Sequence, residues 1–231
     1  MMDLTPDEWT AILLSIRVAA AATLIATPIA IGVAWLLARA RFPGKAAIDA
    51  IVHLPLVLPP VVTGYLLLLT FGRRGLVGAW LADNLGIVFS FRWTGAALAC
   101  GVMAFPLLVR PIRLSIEAVD RRLEQAASTL GASPWRVFTT ITLPLALPGV
   151  VAGMVLAFAK AIGEFGATIT FVSNIPGETQ TISAAIYSLI QTPNGDAAAL
   201  RLVMISVAIA LTALIASEIL ARRATQRLHG A

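Results

Sequence analysis

Lys160 and Glu164 form an ionisable pair inside a stretch that is otherwise almost entirely apolar. Residues four positions apart lie on the same face of a helix, so the ammonium and the carboxylate can form an ion pair. In a membrane protein, charged side chains at membrane depth are costly and usually mark an ion pathway, a proton relay or a gate. The pair is therefore the first candidate for a functional role.

The residues that usually carry enzymatic chemistry are few and far apart. His53 and His229 are the only histidines and Cys100 is the only cysteine, so neither an intrachain disulfide nor a cysteine metal site can form. A phosphate-binding loop needs Gly-x-x-x-x-Gly-Lys-Ser/Thr, whereas Gly44 and Lys45 are followed by alanine and lack the upstream glycine. We expect no catalytic residue, no metal site and no cofactor in this chain.

The composition indicates a membrane protein. Apolar residues make up 58% of the 231 residues and charged residues only 13%, against about 25% charged residues in soluble domains. A single soluble domain of this length could not hide so much apolar surface, whereas a bilayer solvates it. The net charge of +5 comes from short basic clusters between apolar runs. Such clusters are typical of topology signals, so we expect no nucleic-acid partner.

The apolar runs predict an all-α polytopic protein with five membrane-spanning helices and a single domain over residues 1–231. A spanning helix needs about 20 consecutive, mostly apolar residues. The predicted spans cover approximately residues 11–38, 50–72, 93–112, 141–164 and 197–220.

Two stretches depart from this regular pattern. The run from His53 to Pro60 contains three prolines, so it cannot be one straight helix, and we interpret it as an irregular entry into the second span. Residues 179–195 are uncharged but too polar for a confident span. Their centre, from Ile182 to Ile190, is predicted to be either a short helix at the outer surface or a re-entrant segment.

The basic residues predict the orientation in the membrane. Most of the 17 lysines and arginines follow the first, third and fifth spans, which places them on one side if there are five spans. Because basic loops stay in the cytoplasm, the N-terminus is predicted to be periplasmic and the C-terminus cytoplasmic, with residues 113–140 as a cytoplasmic loop. Arg73, Arg74 and Arg92 are exceptions, because five spans would place them on the periplasmic side.

The cytoplasmic loop is predicted to form two short helices. Residues Asp120 to Leu130 are good helix formers, and Gly131 suits the left-handed conformation that ends a helix. Ser133 and Pro134 then supply an N-cap and a first helical residue. Such a hairpin is either an amphipathic connector on the membrane surface or a docking element for a soluble partner. The small residues that would let a partner approach closely are Ala126, Ala127 and Gly131.

The same loop resembles the EAA loop of ABC importer permeases. That family pattern is Glu-Ala-Ala, three residues, Gly, then nine residues and Ile-x-Leu-Pro. In this sequence Gln125 stands between Glu124 and the alanine pair, whereas the spacing to the glycine and to the Ile-x-Leu-Pro positions fits. The matching residues are Glu124, Ala126, Ala127, Gly131, Ile141, Leu143 and Pro144.

The resemblance implies a type I ABC importer permease fold in the bacterial inner membrane. It implies that the 120–144 loop docks into a separate ATP-binding subunit, which holds ATP and Mg²⁺ and hydrolyses the nucleotide. The other partners that it implies are a periplasmic substrate-binding protein and a second permease copy, with the translocation pathway between the two copies.

Two segments, His53–Tyr65 and Lys160–Thr179, resemble the molybdate branch of that family. This resemblance implies molybdate as the transported ion, or tungstate, which has nearly the same size and charge. Sulfate and thiosulfate permeases are the alternative. A secondary transporter driven by an ion gradient is a further alternative, but it would not explain the docking loop, and no inverted repeat is evident.

If the transported ion is an oxyanion, its negative charge limits the roles that Lys160 and Glu164 can have. A carboxylate on the path of a dianion would repel it, so we favour Glu164 as a structural or gate-holding group. A dianion pathway needs hydroxyls and backbone donors, although the same hydroxyls could equally serve helix–helix hydrogen bonds. The candidate gate and pathway residues are Thr63, Glu164, Phe165, Gly166, Thr168, Thr170 and Ser173.

Overall fold

A computed structural model describes residues 4–229, with side chains described through residue 216 and at 219, and every regular element in that range is a helix. In chain order the helices are α1 (Pro6–Arg39), α2 (Lys45–Val57), α3 (Pro60–Phe71), α4 (Leu76–Leu85), α5 (Trp93–Ala118), α6 (Arg121–Thr129), α7 (Pro134–Val137), α8 (Leu143–Ile162), α9 (Gly166–Val172), α10 (Ile182–Leu189) and α11 (Asp196–His229). A π-helical turn, Phe138–Thr142, joins α7 to α8. The predicted all-α class is confirmed for the described residues.

Within residues 4–229, four continuous helices are long and apolar enough to cross a membrane. They are Pro6–Arg39, Trp93–Ala118, Pro134–Ile162 and Asp196–Ala216. A fifth crossing is available only if α2 and α3, which are bent by 116° to each other, count as one span. The predicted second span, 50–72, is therefore not a single straight helix. The side of the membrane on which each terminus lies stays a prediction.

The break between α2 and α3 lies in the proline-rich run, as the sequence predicted. Leu58 and Pro59 have extended backbone angles, and Pro60 is the first residue of α3. A residue that precedes a proline is pushed out of the helical region by the proline ring. Because two such residues follow one another here, the helix must stop and restart in a new direction.

The centre of the fold is the contact of α5 with α1 and α8, and small residues make it close. The buried alanines of α1 recur at Ala19, Ala22, Ala26, Ala30 and Ala34. On α8, Gly149 and Gly153 face α5, and a Cβ atom on Gly153 would lie 3.0 Å from the Leu108 carbonyl oxygen. In membranes, where apolar side chains gain little by leaving lipid, small residues of this kind let helix backbones pack.

Replacing Gly149 by leucine is expected to lower the stability of the chain by about 1–3 kcal/mol or more, because overpacking forces the two helices apart. A Cβ atom at this position would lie 2.6 Å from the Pro111 carbonyl oxygen. Gly32→Leu is the matched control, since no atom lies within 4 Å of a Cβ there. Thermal unfolding in detergent should show a lower midpoint for Gly149→Leu alone. Equal midpoints for the two variants would contradict the close crossing.

The uncharged stretch 179–195 contains the short helix α10. Its eight residues span only about 12 Å, far less than the roughly 30 Å of a bilayer core. Ile182 is fully buried, and its backbone N–H donates to the Ser15 hydroxyl of α1 at 2.7 Å. The stretch therefore contains a short helix that is fixed to the first spanning helix, while its position at the outer surface or as a re-entrant segment stays a prediction.

Candidate functional site

The predicted cytoplasmic hairpin is formed by α6, α7 and the turn between them. The Asp120 carboxylate caps α6 by accepting from the Arg122 N–H at 2.9 Å, and the Ser133 hydroxyl accepts from the Arg136 N–H at 3.4 Å at the start of α7. Gly131 has a φ of +86°, in the left-handed region that favours glycine. The two-helix prediction, with its cap residues, is confirmed.

The outer surface of this hairpin carries large apolar side chains beside small ones. Leu130 is 89% exposed and Trp135 is 73% exposed, while Ala126 and Gly131 are exposed between them. Large exposed apolar side chains on a soluble-facing hairpin are typical of a surface that binds a protein partner. We call Ala126, Leu130, Gly131 and Trp135 the hairpin surface.

Glu124 of the motif does not belong to the hairpin surface. Its Oε1 accepts from the Arg39 Nη2 at 3.0 Å and from the Thr142 hydroxyl at 2.6 Å. Arg39 Nη2 also donates to the Val119 carbonyl oxygen at 3.2 Å. These four residues, which we call the Glu124 clasp, connect the hairpin to the ends of α1 and α5 and to the π-helical turn before α8.

The Ile-x-Leu-Pro part of the motif lies where the hairpin enters the membrane-spanning helix. Pro144 has no backbone N–H, and its ring would clash with the carbonyl group four residues earlier in a regular helix. The turn widens here, and the Leu143 N–H donates to the Phe138 carbonyl oxygen, five residues back. Single π-helical turns of this kind are frequent at functional sites. Ile141 and Leu143 are partly buried, so this part of the motif is internal.

The ionisable pair lies at a break between α8 and α9. Lys160 Nζ is 2.8 Å from Glu164 Oε2, and the side chain of Lys160 is 33% exposed whereas that of Glu164 is 1% exposed. The other carboxylate oxygen of Glu164 accepts from the Ala167 N–H at 3.0 Å. The predicted ion pair is confirmed. Both oxygens of Glu164 are engaged within the chain, which supports a structural role for this residue.

Helices α3 and α9 cross at very short distance beside this break. A Cβ atom on Gly64 would lie 2.6 Å from the Ala167 carbonyl oxygen, and one on Gly166 would lie 2.7 Å from the Pro60 Cβ. The α2–α3 bend and the α8–α9 break are therefore in contact. Broken helices that meet at membrane depth are typical of transporter pathways, because irregular backbone there must be buried or line a cavity.

The predicted pathway hydroxyls differ in whether they have a hydrogen-bond partner among the described residues. The Thr168 hydroxyl donates to the Phe165 carbonyl oxygen at 2.9 Å, and the Thr170 hydroxyl donates to the Gly166 carbonyl oxygen at 2.8 Å. Both hydrogen bonds are formed within the same segment of the chain, which favours a structural role for these two hydroxyls over contact with the ion. The Thr63 hydroxyl is buried and has no partner among the described residues.

Two further candidates lie at the ends of α9. Phe165 stacks on Tyr187 of α10, with ring centroids 4.9 Å apart. Ser173 is exposed and has a φ of +65°, so it ends α9 in a conformation that few serines adopt. The pathway roles of the candidate residues stay predictions.

Sequence reasoning missed three residues that the structure brings to these sites. Arg39 was interpreted only as a topology signal, and Thr142 occupies the unspecified position of the motif. Tyr187 lies in a stretch without a clear pattern. The signal that could have marked Arg39 for a local role is its place at the end of a span, because basic residues in the last turn commonly stabilise a helix end. Its carboxylate partner, 85 positions away, carries no such signal.

Comparisons with known proteins agree with this architecture. A family model described as binding-protein-dependent transport system inner membrane component matches residues 26–226. The chain is 61% identical to the molybdenum transport system permease protein ModB of Escherichia coli K12 over 98% of its length and 99% of the relative. It is 58% identical to ModB of Haemophilus influenzae over 96% of both chains.

A solved structure supports the fold independently. The bacterial ABC transporter that imports the acidic polysaccharide alginate contains a chain that matches 95% of this one with a TM-score of 0.75 and 21% identity, over 80% of that chain. This likeness confirms the predicted ABC importer permease fold. Since the family model covers most of the chain and close relatives match it over nearly their whole length, the protein belongs to the family of binding-protein-dependent transport system inner membrane components.

Proposed function

We propose that this chain is the permease subunit of an ATP-driven importer and that it forms the translocation pathway for molybdate. The observation that carries the proposal is the 61% identity to a molybdenum transport permease over almost the whole of both chains. The match covers 98% of the chain, so it spans the α2–α3 bend and the α8–α9 break, where a pathway would lie. Tungstate follows as a second cargo, because a site cannot easily separate two dianions of nearly the same size and charge.

ATP hydrolysis is assigned to a partner subunit that docks on the hairpin surface. The chain has no phosphate-binding loop, so ATP and Mg²⁺ would be held by that partner. Trp135 offers an anchor of the kind that dominates binding energy in protein interfaces, and Leu130 adds exposed apolar area to the same surface. The hairpin is connected to α1, α5 and α8 through the Glu124 clasp, so movement of the partner would be transmitted to three spanning helices.

A second copy of the chain would complete the pathway. The outward face of α3 carries apolar side chains that nothing in the described chain covers: Val61, Val62, Tyr65, Leu66 and Leu69 are each 41–55% exposed. Two identical faces meeting around a two-fold axis form a self-complementary interface. Since α3 contacts the α8–α9 break, the pathway would run between the copies, with a periplasmic binding protein delivering the ion from outside.

Lys160 is proposed as the cation that faces this pathway. A partly exposed ammonium at membrane depth avoids lipid by facing a water-filled cavity or the bundle interior. Glu164 fixes the ammonium from the buried side, so the pair presents its positive end outward. The ammonium at the exposed end of the pair attracts a dianion more strongly than the carboxylate behind it repels the same ion, because the ammonium is nearer.

Gly131→Val is expected to uncouple the importer, because valine at a φ of +86° strains the turn by about 1–2 kcal/mol and tilts the hairpin surface. Gly131→Asn is the matched control, since asparagine tolerates the left-handed region. Molybdate-dependent ATPase activity of the assembled transporter should fall much further for valine than for asparagine. Equal activity of the two variants would contradict the role of this turn.

The cargo assignment is tested by uptake into vesicles that contain the permease, its ATPase subunit and the binding protein. Labelled molybdate should be displaced by unlabelled molybdate and tungstate at similar concentrations, and by sulfate only at much higher concentration. Displacement by sulfate at equal concentration would assign the chain to the sulfate and thiosulfate permeases instead.

A further inference from the structure

An apolar groove runs along the outside of the fold between α1 and α5. Its volume is about 580 Å³, within the range of small-molecule sites. Ala21, Ile25 and Ile29 line it from α1, and Trp93 and Gly101 line it from α5. Ile25 and Ile29 are 67% and 57% exposed, so the groove is open along one side. Ile51, Val52 and Pro55 of α2 also line the groove, and they close its end away from Trp93, because Val52 packs in the same buried cluster as Ala30 and Ala104.

The open end of the groove carries a positive charge. The Arg17 guanidinium carbon lies 3.8 Å from the centre of the Trp93 ring, and Arg17 is four residues before the groove residue Ala21 on α1. Arg17 is exposed and forms no ion pair with a carboxylate in the described part of the chain. An exposed arginine on an otherwise apolar face requires an anion or water beside it.

The distance from Arg17 to the far end of the groove is close to the thickness of one leaflet of a bilayer. Arg17 and the lining residue Ile29 are twelve positions apart on α1, which is about 18 Å along a helix, while half of a bilayer core is about 15 Å. A tryptophan ring at one end is typical of the boundary between hydrocarbon and head groups. The groove therefore has its cation at head-group level and its closed end near the middle of the membrane.

We propose that this groove binds one acyl chain of a membrane phospholipid, with the phosphate of the same lipid paired to Arg17. The planar guanidinium donates paired hydrogen bonds to phosphate oxygens, and its flat face remains free to stack on Trp93. The charge at one end favours this occupant over an apolar spanning helix of a second copy, because a phospholipid supplies an acyl chain and an anion together. The site is separate from the α8–α9 break and does not depend on the transported ion.

Native mass spectrometry of the full-length chain in mild detergent tests the proposal. Wild type should retain one phospholipid. Gly101→Leu fills the groove and should abolish retention, whereas Gly32→Leu, the same change at an open glycine outside the groove, should not.

Arg17→Gln should weaken phospholipid retention about tenfold, which corresponds to the loss of one charge-assisted hydrogen bond. Arg74→Gln, an exposed arginine outside the groove, is its control and should leave retention unchanged.

A photo-crosslinking residue in place of Ile25 tests the identity of the occupant in the native membrane, without depending on the tolerance of a packed position. An adduct with the mass of a phospholipid supports the proposal. An adduct with a second copy of the chain overturns it. Phospholipid retention that is unchanged in both Gly101→Leu and Arg17→Gln overturns it as well.

Discussion

Glu124→Lys is expected to reduce ATP-driven uptake by about 100-fold or more while the chain still inserts into the membrane. The side chains of Arg39 and Glu124 are only 12% and 18% exposed, and removing one partner of a largely buried pair costs about 3–5 kcal/mol. The variant also places two cations side by side and removes the acceptor for the Thr142 hydroxyl. Since each 1.4 kcal/mol changes an equilibrium constant about tenfold, the fraction of molecules with a correctly placed hairpin should fall by about 100-fold or more.

Glu117→Lys is the matched control for this prediction. Glu117 pairs with Arg113 at 2.8 Å, but its side chain is 39% exposed, and exposed pairs contribute about 0–1 kcal/mol. Arg113 also keeps its contact with Asp49 at 2.8 Å. Uptake and membrane content should both stay near wild type in this variant. If Glu124→Lys transports like Glu117→Lys, the Glu124 clasp does not transmit the movement of the ATPase.

The second large effect is expected for Lys160→Gln, which should raise the molybdate concentration needed for half-maximal uptake by about 100-fold. A unit charge near a dianion at the edge of the protein contributes several kcal/mol at close range. Lys160→Arg keeps the charge and should retain most of the uptake. Lys45→Gln removes the other lysine of the chain, far from the α8–α9 break, and should have little effect.

A double variant separates attraction of the ion from a purely structural ion pair. In Lys160→Gln with Glu164→Gln, no buried charge is left unpaired, and glutamine still accepts from the Ala167 N–H. If the lysine only neutralises Glu164, this double variant should recover uptake. We expect that it does not, because the positive charge on the pathway is still missing. Recovery in the double variant would contradict the proposed role of Lys160.

Local patterns in the sequence were sufficient for much of the fold. Run lengths identified four continuous helices that are long enough to span a membrane. The prolines at 55, 59 and 60 identified the break in the second predicted span, and Ser133, Pro134 and Gly131 identified the hairpin. These features are set by the backbone preferences of a few neighbouring residues. The Lys160–Glu164 pair was predictable for the same reason, because its partners are one helical turn apart.

Contacts between distant parts of the chain could not be predicted in this way. Arg39 and Glu124 are 85 positions apart, and the crossing of Gly64 over Ala167 joins helices more than a hundred residues apart. Such contacts depend on the directions in which the broken helices leave their bends, and no local pattern encodes those directions. This is why the motif glutamate was predicted as part of a coupling loop, while its internal partners were not foreseen.

Uptake of labelled molybdate by vesicles that contain the permease, its ATPase subunit and the binding protein tests the central claim most directly. We predict accumulation against a gradient that requires hydrolysable ATP on the side of the hairpin and persists when an ionophore collapses all ion gradients. Accumulation that proceeds without the ATPase subunit and stops on addition of the ionophore would contradict this account and identify a secondary transporter.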